Sequence, residues 1–176
     1  LSACYFELGK YPLAEQYCRA AIEARPDSAA AYSNLGVICD SQGRLWDAVR
    51  AYKASLDLDV DQPEVLLNLG STYLRQQRVE AALATYRLTA EHAPDLADPW
   101  ERMGHCHFRM GNIDEARRCY EKAVEIDPDH AWAHRGLGAT YMAIYLKDRQ
   151  ADGEAMRSRA LEQWNLSMEL HTRQPE

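Results

Sequence analysis

Four glycines, Gly36, Gly70, Gly104 and Gly138, stand 34 residues apart in the contexts "SNLGVIC", "LNLGSTY", "ERMGHCH" and "RGLGATY". A period of that length, held without slippage, describes an array of like units. Twelve residues after each of the first three glycines comes Ala48, Ala82 or Ala116, with Ala14 in phase ahead of them. Four further on stands a ring or a thiol (Cys18, Tyr52, Tyr86, Tyr120), and three beyond that a small residue (Ala21, Ser55, Thr89, Ala123). Spacings of three and four place these groups on one face of a helix.

The breaks fall in phase as well. Pro26, Pro94 and Pro128 close their units, with Val60 in that place in the second; proline cannot donate the next helical bond. Gly9, Gly43 and Gly111 sit midway through their units, where a tight turn is needed, and Gln77 fills that place in the third. Each unit is therefore expected to be an antiparallel helix pair, in which a small residue on each helix lets the two backbones approach closely and the large ring packs beside that contact. One pair cannot bury its apolar face alone, so the pairs must stack.

At these residues the chain resembles the tetratricopeptide repeat (TPR) family, and "DPWERMGHCHFRMGNIDEARRCYEKAVEIDPDH" matches that motif nearly end to end. The resemblance implies an all-α fold, a right-handed superhelical solenoid of about five antiparallel helix pairs. It also implies that the first helices line a concave face, where such proteins hold peptides or protein segments without chemistry of their own. The sequence phase gives one array over 1–176, with repeats at about 1–28 (truncated), 29–62, 63–96, 97–130 and 131–174. In the last, Ala160, Trp164 and Ser167 restore the pattern ten residues late. That predicts helix to about Arg149, a turn at Asp152-Gly153, and helix to about Leu170. The closing "RQPE" repeats the phase of "DQPE" at Asp61–Glu64, so a further repeat is expected to follow.

Composition narrows the function. A formal charge of -7 gives no global attraction to phosphate backbones, so no nucleic acid is expected as partner. No apolar run approaches the roughly 18 residues of a membrane span. The five cysteines form no C-x-x-C pair, which points to free buried thiols in a reducing, cytoplasmic setting; a signal upstream would make it periplasmic. Phosphate-loop and nucleophile-elbow motifs are absent, and "EARRCYEKAVEID" reads as a solvated helical face. The chain is read as no enzyme and as needing no cofactor.

"GHCHFRMGN" tests that reading, because it lines up His105, Cys106 and His107. On a helix, residues two apart point about 200° away from each other, so the two histidines cannot grip one ion. Cys106 and His107 are assigned to the core and His105 to the groove. A metal site built from His105, His130 and His134 is a minor alternative.

The repeat phase nominates the concave-face residues: Asn34, Val37, Glu64, Leu67, Asn68, Ser71, Leu74, Arg75, Asp98, Arg102, His105, Phe108, Arg109, Trp132 and Arg135. Ser33, Asp40, Ser41, Glu101, Ala139 and Met142 share that face. Asn34 and Asn68 begin an asparagine ladder of the kind some family members use on peptide backbones, but Arg102 and Gly136 interrupt it. The family's clamp for C-terminal carboxylates is matched only at Asn68 and Arg102, and its lysines are missing. The gathering of Arg75, Arg102, Arg109 and Arg135 beside Phe108 and Trp132 can hold an acidic or aromatic-bearing segment; the competing reading is that Glu64, Asp98 and Glu101 among them simply neutralise these charges along a solvated groove. A recruiting arm of a larger enzyme, such as a glycosyl- or methyltransferase, is the alternative. A structural module that self-associates through its exposed ends is another.

Overall fold

The computed structural model describes the backbone of residues 2–147 and 153–173 and the side chains of 5–147 and 153–172. All regular structure in it is helical: α1 (Ser2–Glu7), α2 (Tyr11–Ala24), α3 (Ala29–Ser41), α4 (Leu45–Leu58), α5 (Pro63–Arg75), α6 (Val79–His92), α7 (Ala97–Arg109), α8 (Ile113–Ile126), α9 (Ala131–Lys147) and α10 (Gly153–Arg173). They form two compact units, one ending at His92 and one beginning at Ala93. In the first, α1 to α6 pack in chain order; in the second, α7 packs on α8, α8 on α9 and α9 on α10.

The turn within each of the first four pairs is built alike. Gly9, Gly43, Gln77 and Gly111 all adopt positive φ, at 68°, 74°, 61° and 79°. The residue after each donates its N–H five residues back, as from Arg44 to the Cys39 carbonyl (2.9 Å) and from Arg78 to the Tyr73 carbonyl (2.9 Å). This left-handed closure satisfies carbonyls that the helix end would otherwise leave bare. The second helices end in extended residues, Arg25 (φ −144°) and Asp127 (φ −129°), because the proline that follows disfavours the helical region. Asp59 is extended too (φ −148°) although Val60 follows. Its Oδ1 accepts from the Asp61 N–H at 3.1 Å, as Asp127 Oδ1 does from Asp129. That local turn stands in for the missing proline.

The core repeats with the sequence. Ala14, Ala48, Ala82, Ala116 and Ala160 are wholly buried. A Cβ at Gly36 would lie 2.5 Å from the Tyr52 ring, and one at Gly70, Gly104 or Gly138 would meet Tyr86, Tyr120 or Trp164 at 2.4–2.8 Å. Only glycine admits such contact between the helices of a pair.

The last pair is longer than the one before it. α9 has 17 residues and α10 has 21, against 13 and 14 in α7 and α8, so both helices lengthen. Gly153 begins α10 and is not a turn residue, and Arg149 and Asp152 lie outside the described residues. His107 is half-buried where full burial was expected, while Cys106 is completely enclosed.

Candidate functional site

In the second unit, α7, α8 and α9 enclose an open cavity of about 500 Å³. One wall is the α7 face carrying Glu101, Arg102, His105 and Phe108, which recur at three- and four-residue steps. The other is the α9 face with Trp132, Arg135, Gly136 and Ala139, and Tyr120 of α8 lies between them. Gly136 makes this possible, since a Cβ there would fall 2.3 Å from the Tyr120 ring. The ring therefore packs against Gly104 within its own pair and against Gly136 in the next.

Positive charge dominates the rim. Arg135 lies 5.1 Å from the centroid of the Trp132 ring, and Trp132 meets His171 edge-on at 5.1 Å. These contacts hold upright a tryptophan that is 54% exposed. No carboxylate pairs with Arg135 among the described residues. Arg102 Nε sits 3.4 Å from Glu101 Oε2, and Glu101 is the one acid in the lining. Burial pushes the Glu101 carboxyl above its ordinary range, against the pull of Arg102 and His130. Burial lowers the affinity of His105 for a proton, and Arg109 and Arg102 lower it further. Neutral imidazole is therefore the favoured form at this wall, with one donor and one acceptor to offer.

The structure thus brings together Arg102, His105, Phe108, Trp132 and Arg135 of the predicted face. It leaves Asp98 and Arg109 out of the lining. Asp98 turns to His130 at 3.8 Å, and each holds the other's charged form: the Asp98 carboxyl falls below its usual value and the His130 imidazole rises. In the first unit Asn34, Glu64, Asn68 and Arg75 are exposed, and Val37, Leu67, Ser71 and Leu74 are half-buried. Arg75 is committed to Asp40, donating to its carboxylate and, at 2.9 Å, to its backbone carbonyl. Ser71 Oγ sits 3.1 Å from the Tyr86 hydroxyl.

His134 does not join a histidine cluster: it is buried, with Nε2 2.8 Å from the Pro128 carbonyl and Nδ1 2.6 Å from Gln163. Tyr120, on a second helix, was missed as a lining residue. Its signal was Gly136, a missing side chain in the ladder phase.

Comparison with known families fits this architecture. A model described as "TPR repeat" matches residues 104–144, and two described as "Tetratricopeptide repeat" match 1–59 and 41–97. Together they leave unmatched only 98–103 and the stretch beyond 144. The chain is a tetratricopeptide repeat protein. Its all-α fold is the helix-pair solenoid of that family.

Solved TPR structures resemble it over nearly its whole length. A crystal structure of MamA is 21% identical with a TM-score of 0.81, covering 98% of this chain and 95% of that one. MamA from Desulfovibrio magneticus RS-1 is 18% identical with a TM-score of 0.81, covering 99% and 93%. YrrB, described as a TPR protein with an unusual peptide-binding site, is 19% identical with a TM-score of 0.73, covering 98% and 84%. At such identities the likeness is one of fold. No curated protein sequence matches the chain. As a TPR protein it belongs with protein-interaction scaffolds, and among its described residues no helix is long and apolar enough to cross a membrane.

Proposed function

We propose that this TPR protein binds a partner's peptide segment in the α7–α9 cavity, without chemistry of its own, and that the segment carries an acidic residue beside an aromatic or apolar one. Arg135 carries the reading: a guanidinium laid on an exposed indole, lining a cavity, with no carboxylate partner among the described residues. A carboxylate can meet such a fork with two charge-assisted hydrogen bonds, and Phe108 and Trp132 supply the apolar surface. Glu101 works as a selector. Because it is poorly hydrated, with Arg102 beside it on one side, it disfavours a second carboxylate placed deep in the cavity and leaves the Arg135 rim as the anionic subsite.

The overall charge of -7 argues against nucleic acid at the same rim. Buried thiols at Cys39 and Cys106 suit a reducing, cytoplasmic setting. The peptide site described for YrrB gives a precedent on a similar fold.

Fluorescein-labelled peptide pools, each with one position fixed as Asp, Glu, Lys, Phe or Trp, test the proposal by anisotropy. Acid-fixed pools are expected to bind roughly tenfold tighter than lysine-fixed ones. Arg102→Glu with Arg135→Glu should invert that order while the far-ultraviolet circular dichroism stays unchanged. An unaltered order in the variant sinks the site.

A further inference from the structure

Gln42 and Gln76 occupy one place in successive repeats, each just past the end of a first helix, and Arg44 and Arg78 follow them two residues on. In the earlier repeat Arg44 Nε donates to Gln42 Oε1 at 2.8 Å, and the same guanidinium reaches Glu15 and Asp47. The later repeat breaks the pattern. Arg78 lies over rings instead, 4.8 Å from the centroid of Tyr73 and 5.9 Å from that of Trp46. It has no acidic partner among the described residues. Gln76 is left with a buried carboxamide whose oxygen and nitrogen both lack a hydrogen-bond partner among those residues.

Gln76 lines an open cavity of about 450 Å³ with Gly43, Arg44, Leu45, Trp46 and Asp47. Trp46 stands 69% exposed there, an unusual place for so large a ring. Buried polar groups are almost always paired, and an unpaired one weakens the folded state. The in-phase Gln42–Arg44 pair shows that this repeat geometry can supply a donor to such a glutamine's oxygen.

We propose that this cavity is a second peptide site, on residues other than those of the α7–α9 cavity, taking an extended segment in which an aromatic residue adjoins an acidic one. A peptide group offers one N–H and one C=O, which match the carboxamide's acceptor and donor. The Trp46 indole receives the ring in an offset stack. Arg78, already over that indole, meets the carboxylate. Arg44 stays with its own acids and takes no part.

The test titrates acetyl-Gly-Tyr-Asp-Gly-amide into the ¹⁵N-labelled 176-residue protein carrying Arg102→Glu and Arg135→Glu, so that the α7–α9 cavity does not compete. The Trp46 Nε1–H and Gln76 Nε2–H₂ resonances are expected to shift together and saturate. Gln76→Met keeps the side chain's length and removes its polar pair. It should weaken the peptide by roughly tenfold and raise the melting temperature by a few degrees, whereas loss of a merely structural glutamine would lower it. Gln42→Met, at the paired site, should lower the melting temperature and leave the titration unchanged. Failure of the two resonances to saturate, or a Gln76→Met protein that melts lower or binds as the parent does, overturns the proposal.

Discussion

Gln77 holds a φ of 61° in a turn where its counterparts Gly9, Gly43 and Gly111 are glycine. A residue with a Cβ is strained in that region by about 1–2 kcal/mol, and glycine's extra freedom in the unfolded chain returns part of it. Gln77→Gly should therefore stabilise the protein by about 0.5–1 kcal/mol. It should appear as a higher urea midpoint with an unchanged slope. The glycines that face rings predict the opposite sign. Gly104→Ala would set a Cβ 2.8 Å from Tyr120 and should cost about 1–3 kcal/mol by overpacking, read from the same titration.

The Tyr120 ring pressed directly on Gly104 came from the structure, whereas the close-packing role of Gly104 and the place of Gln77 in a glycine's position were legible in the sequence. The fates of Arg75 and His134 were not. Phase says which way a side chain leaves its helix, but the partners that capture it, Asp40 and Gln163, come from residues 35 and 29 positions away. No periodicity encodes those meetings.

Between elements, the pair of Asp98 in α7 and His130, before α9, ties two first helices together. The His130 imidazole is raised, so its contribution to stability is complete below the unfolded value near 6.5 and fades as pH rises through the folded one. The Asp98 carboxyl is lowered, so its contribution is complete above the ordinary carboxylate value and fades as pH falls through the folded one. The pair therefore stabilises most between about pH 4 and 6.5. His105 works against it, since its depressed value costs stability as pH falls. The comparison must accordingly be with Asp98→Asn, which leaves His105 in place. Asp98→Asn should lower the melting temperature more at pH 5.5 than at pH 8. Equal lowering at the two would show that the pair, at 3.8 Å and with Asp98 about half exposed, contributes nothing.

The elements themselves were largely written in the repeat, as were the lining positions of α7 and α9. What phase could not foresee was the role of α8, where Tyr120 enters the cavity only because Gly136 makes room for it in the next repeat.

At the scale of the molecule, stability in a repeat array is a sum of pairs and their nearest-neighbour contacts, so opening is local and graded. The four described thiols can report it. Cys18 and Cys39 lie in successive pairs of the first unit, on α2 and α3, and Cys106 and Cys119 share one pair of the second, on α7 and α8. All are buried, and burial pushes the Cys106 thiol up to about 12 and raises that of Cys39. Reaction with an alkylating reagent requires an exposed thiolate, so each thiol should react only when its own helices open. α1, with six residues, covers α2 less fully than the 13-residue α3 covers α4. In this chain, pulsed iodoacetamide labelling across low urea concentrations, read by peptide mass spectrometry, should therefore modify Cys18 before Cys39. Cys106 and Cys119 should be modified together, since neither helix of their pair can leave without uncovering the other. Simultaneous labelling of Cys18 and Cys39 would mean that the first unit opens as one block. Separate labelling of Cys106 and Cys119 would mean that the helix pair is not the unit of cooperation, and the additive account would fail.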